Sequence, residues 1–300
     1  MGKKEGALNL FKLAAVISLT AVSFAFCACT KEQNAPTLTK QGKPQILVSS
    51  YVPYTLVKNL VKDMADVSML MPPGVEPHSF EPLPKDILKV QKAKTFFYID
   101  KTLEPWADEI NSNNSLALGK DLATQEDIHI WMDFDKATLM ALLASKTIQR
   151  EYPTLKQEVN KNFAKLAIDI NRLKKSYSSK LANCKSRDIY HIGHLAFGAI
   201  AKNYNLNFKP LINSSEAQEP SPKDILEMIK QIKEKDIKYI FTEEALSPQM
   251  ADLIASQTNT QILMLYTIEH ITKEEFDKQI SYQDFMYKNL ENLTKGLECN

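Results

Sequence analysis

Glycine is scarce in this 300-residue chain, with eight in all. A phosphate-cradling loop needs glycines in a fixed pattern, and Gly119-Lys120 in LALGKDL has no upstream glycine and no Ser or Thr after it, which sets nucleotide binding aside. Neither sign of charge is in excess: Lys and Arg number 37 and Asp and Glu 36, for a formal net charge of +1. With no dense basic run in the body of the chain, nothing in the sequence is built to hold nucleic acid. Histidine is also sparse, at five. There is no His-Glu-x-x-His helix and no local zinc-finger spacing, so metalloprotease and finger chemistry have no motif. What is present is a globular composition, 44% apolar and 24% charged, long enough for two ordinary domains.

The first thirty residues differ from the rest. Lys3 and Lys4 precede LAAVISLTAVSFAFCAC, the basic and apolar regions of an export signal. An uncleaved anchor is the other reading, because the run is near the lower limit for crossing a bilayer. Ala28 followed by Cys29 resembles a bacterial lipoprotein cleavage box, with Phe26 where an aliphatic residue is usual. That resemblance implies a signal over 1–29 with lipidation at Cys29. Residues 30–44, polar and Pro-containing, then read as a tether.

Beyond the tether, short β-rich runs alternate with helix-patterned segments. Strands are expected at 45–49, 66–71, 95–99 and 115–118, then at 188–192, 208–212, 238–242 and 261–265. Apolar spacing predicts helices at 53–64, 84–92, 101–111 and 135–150, then at 195–204, 223–235 and 247–257. Such alternation implies an α/β fold of two lobes with parallel sheets, 45–152 and 183–300. Between them, 153–182 contains Leu155, Val159, Phe163, Leu166, Ile170 and Leu173 at spacings of three and four. This predicts one long connecting helix of roughly 45 Å that restrains hinge motion.

Four histidines fall near strand ends. His78 sits in MPPGVEPHSF, a loop stiffened by Pro72, Pro73 and Pro77 around Gly74. His129 precedes the helix at 135–150, His194 follows the first strand of the second lobe, and His270 follows its last. Ligands of open parallel sheets bind beyond the carboxyl ends of the strands. A lone loop histidine is usually an ordinary polar residue; several at the sheet ends of two facing lobes point to a metal. His191 lies inside a strand pattern, which suits a buried or supporting role.

Six ordered stretches, MPPGVEPHSFEPLPKDI, TLEPWADEI, DIHIWMDFDKA, GHLAFGAIAKNYNL, EPSPKDILEMIKQIKEKDIKYIFTEEALSP and MYKNLENL, resemble the zinc/manganese group of ABC-transporter substrate-binding proteins, the TroA-like and ZnuA-like receptors. The likeness covers almost everything after the tether. It implies two α/β lobes joined by one long helix and a metal held by His78, His129 and His194. The fourth family position, commonly aspartate, falls near LYTIEH, where Thr267 and Ile268 stand; Glu269, His270, Glu81 or a water is left to fill it. Zinc-type relatives often carry a His-rich loop, yet no histidine lies between Trp106 and His129. Glu104, Glu219, Ser221 and Glu243 also match family positions, with capping or packing as their roles.

Three imidazoles favour Zn²⁺, with Mn²⁺ as the alternative that prefers more carboxylate oxygen. The implied protein is not an enzyme. It is an exported receptor, periplasmic or lipid-anchored on the outer face of the membrane, monomeric, and serving the permease of a metal ABC transporter. Two other readings stand beside it: an exported zinc hydrolase with Glu81 or Glu243 as base, and an adhesin or structural lipoprotein without metal. Trp106 and Trp131 are expected to pack near the lobe interface. Cys184, before the first strand of the second lobe, and Cys299, after its final helical segment, form a disulfide or remain two free thiols.

Overall fold

The computed structural model describes residues 42–300 apart from 111–112, 125–126, 215–219 and 245–247. The export segment, Cys29, most of the tether and Glu219 lie outside the described residues.

The first half runs β1 (Gln45–Val48), α1 (Tyr51–Val61), β2 (Asp66–Met69), α2 (Pro84–Lys92), β3 (Phe96–Tyr98), α3 (Pro105–Ile110), β4 (Ser115–Ala117) and α4 (Phe134–Glu151). Then comes α5 (Lys156–Lys180). The second half runs β5 (Asp188–Ile192), α6 (Gly198–Asn203), β6 (Asn207–Pro210), α7 (Pro222–Glu234), β7 (Tyr239–Thr242), α8 (Pro248–Thr258), β8 (Gln261–Met264), α9 (Lys273–Asp277) and α10 (Tyr282–Gly296). Each half builds one four-stranded sheet, ordered β2-β1-β3-β4 and β6-β5-β7-β8, and every pairing is parallel. The two halves therefore repeat one topology, with all strand ends that carry ligand loops on the carboxyl side.

Helix boundaries differ from the sequence expectation for local reasons. Helix α1 starts at Tyr51, two residues before Pro53, because a proline in the first turn removes an N–H that has no helical partner. Residues 101–104 form a turn in place of helix: Asp100 accepts from the Thr102 N–H at 2.9 Å and from the Glu104 N–H at 2.8 Å, and Pro105 then opens α3. The expected 153–182 helix begins with a 3-10 turn at Pro153–Leu155 before α5, whose 25 residues span about 37 Å.

Helix α5 buries Val159, Leu166, Ile170, Leu173 and Tyr177 on the apolar stripe its spacing predicted. It packs on α1 and α4 on one side and on α10 on the other. One continuous apolar core runs from Ile46 and Val48 through Trp131, Phe134 and Tyr177 to Tyr282, Phe285 and Leu297. Polar ties cross with it: the Tyr282 hydroxyl donates to the Trp131 carbonyl at 2.6 Å, and the Tyr282 N–H to Thr55 Oγ1 at 3.0 Å. An apolar interface of this kind resists hinge motion. Among the described residues no helix is long and apolar enough to cross a membrane.

Candidate metal centre

His78 sits in a 3-10 turn, Pro77–Ser79, beyond β2, and Glu76 caps that turn by accepting the His78 N–H at 3.0 Å. His129 is the residue before a second 3-10 turn, Ile130–Met132, that feeds α4. His194 comes two residues after β5, and Glu269 five residues after β8. Their donor atoms lie within 4.8 Å of one another. His194 Nε2 is 3.0 Å from His129 Nε2 and 3.1 Å from Glu269 Oε1; Glu269 Oε2 is 3.4 Å from His129 Nε2 and 3.5 Å from His78 Nε2. A tetrahedral ion with bonds near 2.0–2.1 Å needs donors about 3.3 Å apart, so these separations fit.

The donor chemistry points the same way. His78 Nε2 and Glu269 Oε2 are buried and have no hydrogen-bond partner among the described residues. His129, His194 and Glu269 are almost wholly buried. Burial would raise the Glu269 carboxyl, but His129, His194 and His78 outweigh it and hold the group well below the usual carboxylate range. Burial likewise opposes charge on His194, yet bonds to Glu243 and Glu269 push its pKa up to about 11. For His129 burial wins, and its pKa falls below the ordinary value. A buried anion facing three imidazole nitrogens, two of them in close contact, is a site shaped for a cation.

A family model described as ZnuA, zinc-uptake complex component A periplasmic, matches residues 46–296. This chain belongs to the ZnuA family. It is 29% identical over 316 aligned positions to the high-affinity zinc uptake system protein ZnuA of Bacillus subtilis, covering 96% of this chain and 97% of that one. It covers only 61% of the zinc-binding protein AdcA of Streptococcus pyogenes, at 28% identity. Among solved structures, the metal-dependent lipoprotein YcdH from Bacillus subtilis superposes with a TM-score of 0.77 at 31% identity, over 85% of this chain and all of that one.

In this ZnuA-family chain Glu269 is the carboxylate that joins the three histidines. Two other candidates for the fourth position stand apart from the cluster. Glu81 is exposed to solvent. His270, next in sequence to Glu269, turns the other way and lies 3.8 Å from Glu76 through Nδ1. Glu243, weighed as a hydrolytic base, is committed elsewhere, its carboxylate 2.9 Å from His194 Nδ1. His191 is fully buried against Phe197 and Phe208, and burial, then the neighbouring His194, pushes its pKa down to about 3. Trp131 is buried between the halves and donates its indole N–H to the Thr267 carbonyl at 2.7 Å. Ser221 caps α7 by accepting the Asp224 N–H at 3.2 Å.

Glu244 escaped the sequence reading. Its carboxylate accepts the N–H and hydroxyl of Thr267, at 2.9 and 2.8 Å, and the N–H of Ile268 at 3.0 Å. The one available signal was a second acidic residue, directly after Glu243, at the end of a buried strand.

Proposed function

We propose that this protein is an extracytoplasmic receptor that captures Zn²⁺ between its two lobes through His78, His129, His194 and Glu269 and hands it to the permease of an ABC transporter. The single observation that carries the reading is the convergence of three imidazoles and one carboxylate, two from each half, within 4.8 Å in a buried interface. Zinc is cargo here, and the donor set suits it: three nitrogens and one oxygen favour Zn²⁺ over Mn²⁺. Support from kin is direct, since the ZnuA-like domain of Streptococcus pneumoniae AdcA, solved as a Zn(II)-bound structure, superposes with a TM-score of 0.75 at 27% identity, over 86% of this chain and all of that one. Lipidation at Cys29 would tether the monomer to the outer face of the membrane.

The geometry supports a receptor over a hydrolase. Catalytic zinc sites keep an open position for water, whereas four protein donors close this one. The test is metal analysis of the mature protein followed by zinc titration of single Ala variants. One zinc per chain is expected, and His78→Ala, His129→Ala, His194→Ala or Glu269→Ala should each weaken binding by more than about a hundredfold, beyond what losing a supporting partner does. Wild-type affinity in all four variants would overturn the assignment. Steady hydrolytic turnover abolished by chelation would overturn the receptor reading.

A further inference from the structure

Both ligands supplied by the second half are held by one dipeptide at the end of β7. In the sheet order β6-β5-β7-β8, β7 is the strand that touches both β5 and β8. His194 follows β5 and Glu269 follows β8. Two adjacent residues just past β7 reach one ligand loop each, one by a hydrogen bond to His194 and the other by hydrogen bonds to Thr267 and Ile268. Those residues are Glu243 and Glu244.

We propose that Glu243 and Glu244 are positioning residues that preset the second-lobe half of the zinc site, a proposal that rests on the receptor reading above. Glu243 acts on His194. A carboxylate can only accept, so the 2.9 Å contact keeps a hydrogen on Nδ1 and aims Nε2, the nitrogen that would hold the metal, toward His129 and Glu269. The packing behind it leaves no slack. A Cβ at Gly193 would sit 2.6 Å from the Glu243 carboxylate and 2.4 Å from His191 Cε1, so only glycine leaves room for that carboxylate behind the ligand.

Glu244 acts on Glu269 through the backbone. Its three accepted hydrogen bonds clamp Thr267 and Ile268, and the Trp131 indole holds the Thr267 carbonyl from the other side. Within that clamp Ile268 is buried with φ at 69°, a left-handed conformation that a β-branched residue rarely adopts. The reversed residue swings Glu269 inward and leaves His270 outside. Without the clamp the turn has reason to relax, and the carboxylate would leave the cluster.

The test uses the mature protein and five variants: Glu243→Ala, Glu243→Gln, Gly193→Ala, Glu244→Ala and Glu244→Ala combined with Glu269→Ala. Zinc affinity is read by chelator competition and ligand geometry by the visible absorption of the Co²⁺-loaded protein. Glu243→Ala and Gly193→Ala should each weaken zinc binding 10- to 100-fold, the usual effect of losing a ligand's supporting partner. Glu243→Gln should recover most of that loss, because an amide oxygen still accepts from Nδ1. Glu244→Ala should weaken zinc and shift the cobalt bands, and adding Glu269→Ala should then change little, although Glu269→Ala alone is severe. Zinc affinities within twofold of wild type and an unchanged cobalt spectrum would overturn the proposal while the receptor reading stood. Additive losses in the double variant would overturn the part given to Glu244. A wild-type protein that bound no zinc would end both.

Discussion

In the first lobe His78 rides on a loop stiffened by Pro72, Pro73 and Pro77, with Glu76 gripping only its backbone N–H. In the second lobe His194 is held by its ring through Glu243, and Glu269 by a turn that Glu244 clamps at three atoms. Proline restricts how many shapes a loop can take without aiming a side chain; a hydrogen bond to a ring nitrogen aims it. One site thus combines a ligand carried on a proline-stiffened loop with two ligands aimed by neighbouring carboxylates. The halves differ in covalent reinforcement too, because a disulfide joins Cys184 and Cys299 at the two ends of the second lobe.

The largest expected effect comes from removing that reinforcement. A bridge across 115 residues contributes about 4–5 kcal/mol in the chain-entropy model. Reduction should lower the melting temperature by on the order of 10 °C, while first-lobe contacts stay unchanged. Thiol counting on the denatured, unreduced protein checks the premise, and two reactive thiols there would remove it.

The next effect belongs to the first lobe. Glu104 is fully buried; burial pushes its pKa up from 4.5 to about 7 against bonds from Ser49, the Ile99 N–H and Ser50. A carboxyl whose folded value exceeds its unfolded value keeps its proton longer when folded, so stability is full below pH 4.5 and is lost as pH rises through 7. The loss reaches up to about 3 kcal/mol. Glu104→Gln should therefore be more stable than wild type at pH 8 and equal to it near pH 4.5. Denaturant melts at both values decide, and a constant difference between the proteins would refute the assignment.

The smallest effect lies where the halves meet. His270 and Glu76 pair across 3.8 Å with both side chains partly exposed, an arrangement worth under about 1 kcal/mol. His270→Gln should speed zinc release by no more than about fivefold in a stopped-flow chelator assay. An acceleration of a hundredfold would mean that His270 serves as a ligand after all.

Much of this is legible in the sequence. Buried parallel strands read as short apolar runs, as in Ile46-Leu47-Val48 and Phe96-Phe97-Tyr98, and prolines mark the starts of α2 and α7. Position near such elements marks four histidines, and the family resemblance selects His78, His129 and His194 from them. The fourth donor stays open in the sequence among Glu269, His270, Glu81 and a water. Which of two neighbours points inward depends on the φ of Ile268, and isoleucine by its own preference argues against the conformation it adopts. That choice is imposed by Glu244, 24 residues upstream, and by Trp131 from the other half. The reach from Glu243 to His194 spans 49 residues, beyond any periodicity.

The placement of α10 has a consequence for how the molecule comes apart. The last helix in the chain packs on α1, α5 and β8, and the Tyr177 hydroxyl of α5 donates to the Met286 carbonyl inside it. The first half, complete in sequence by Glu151, has a core with an open side until residues 282–296 arrive. A core shared in this way ties the halves together, and they should unfold in one transition.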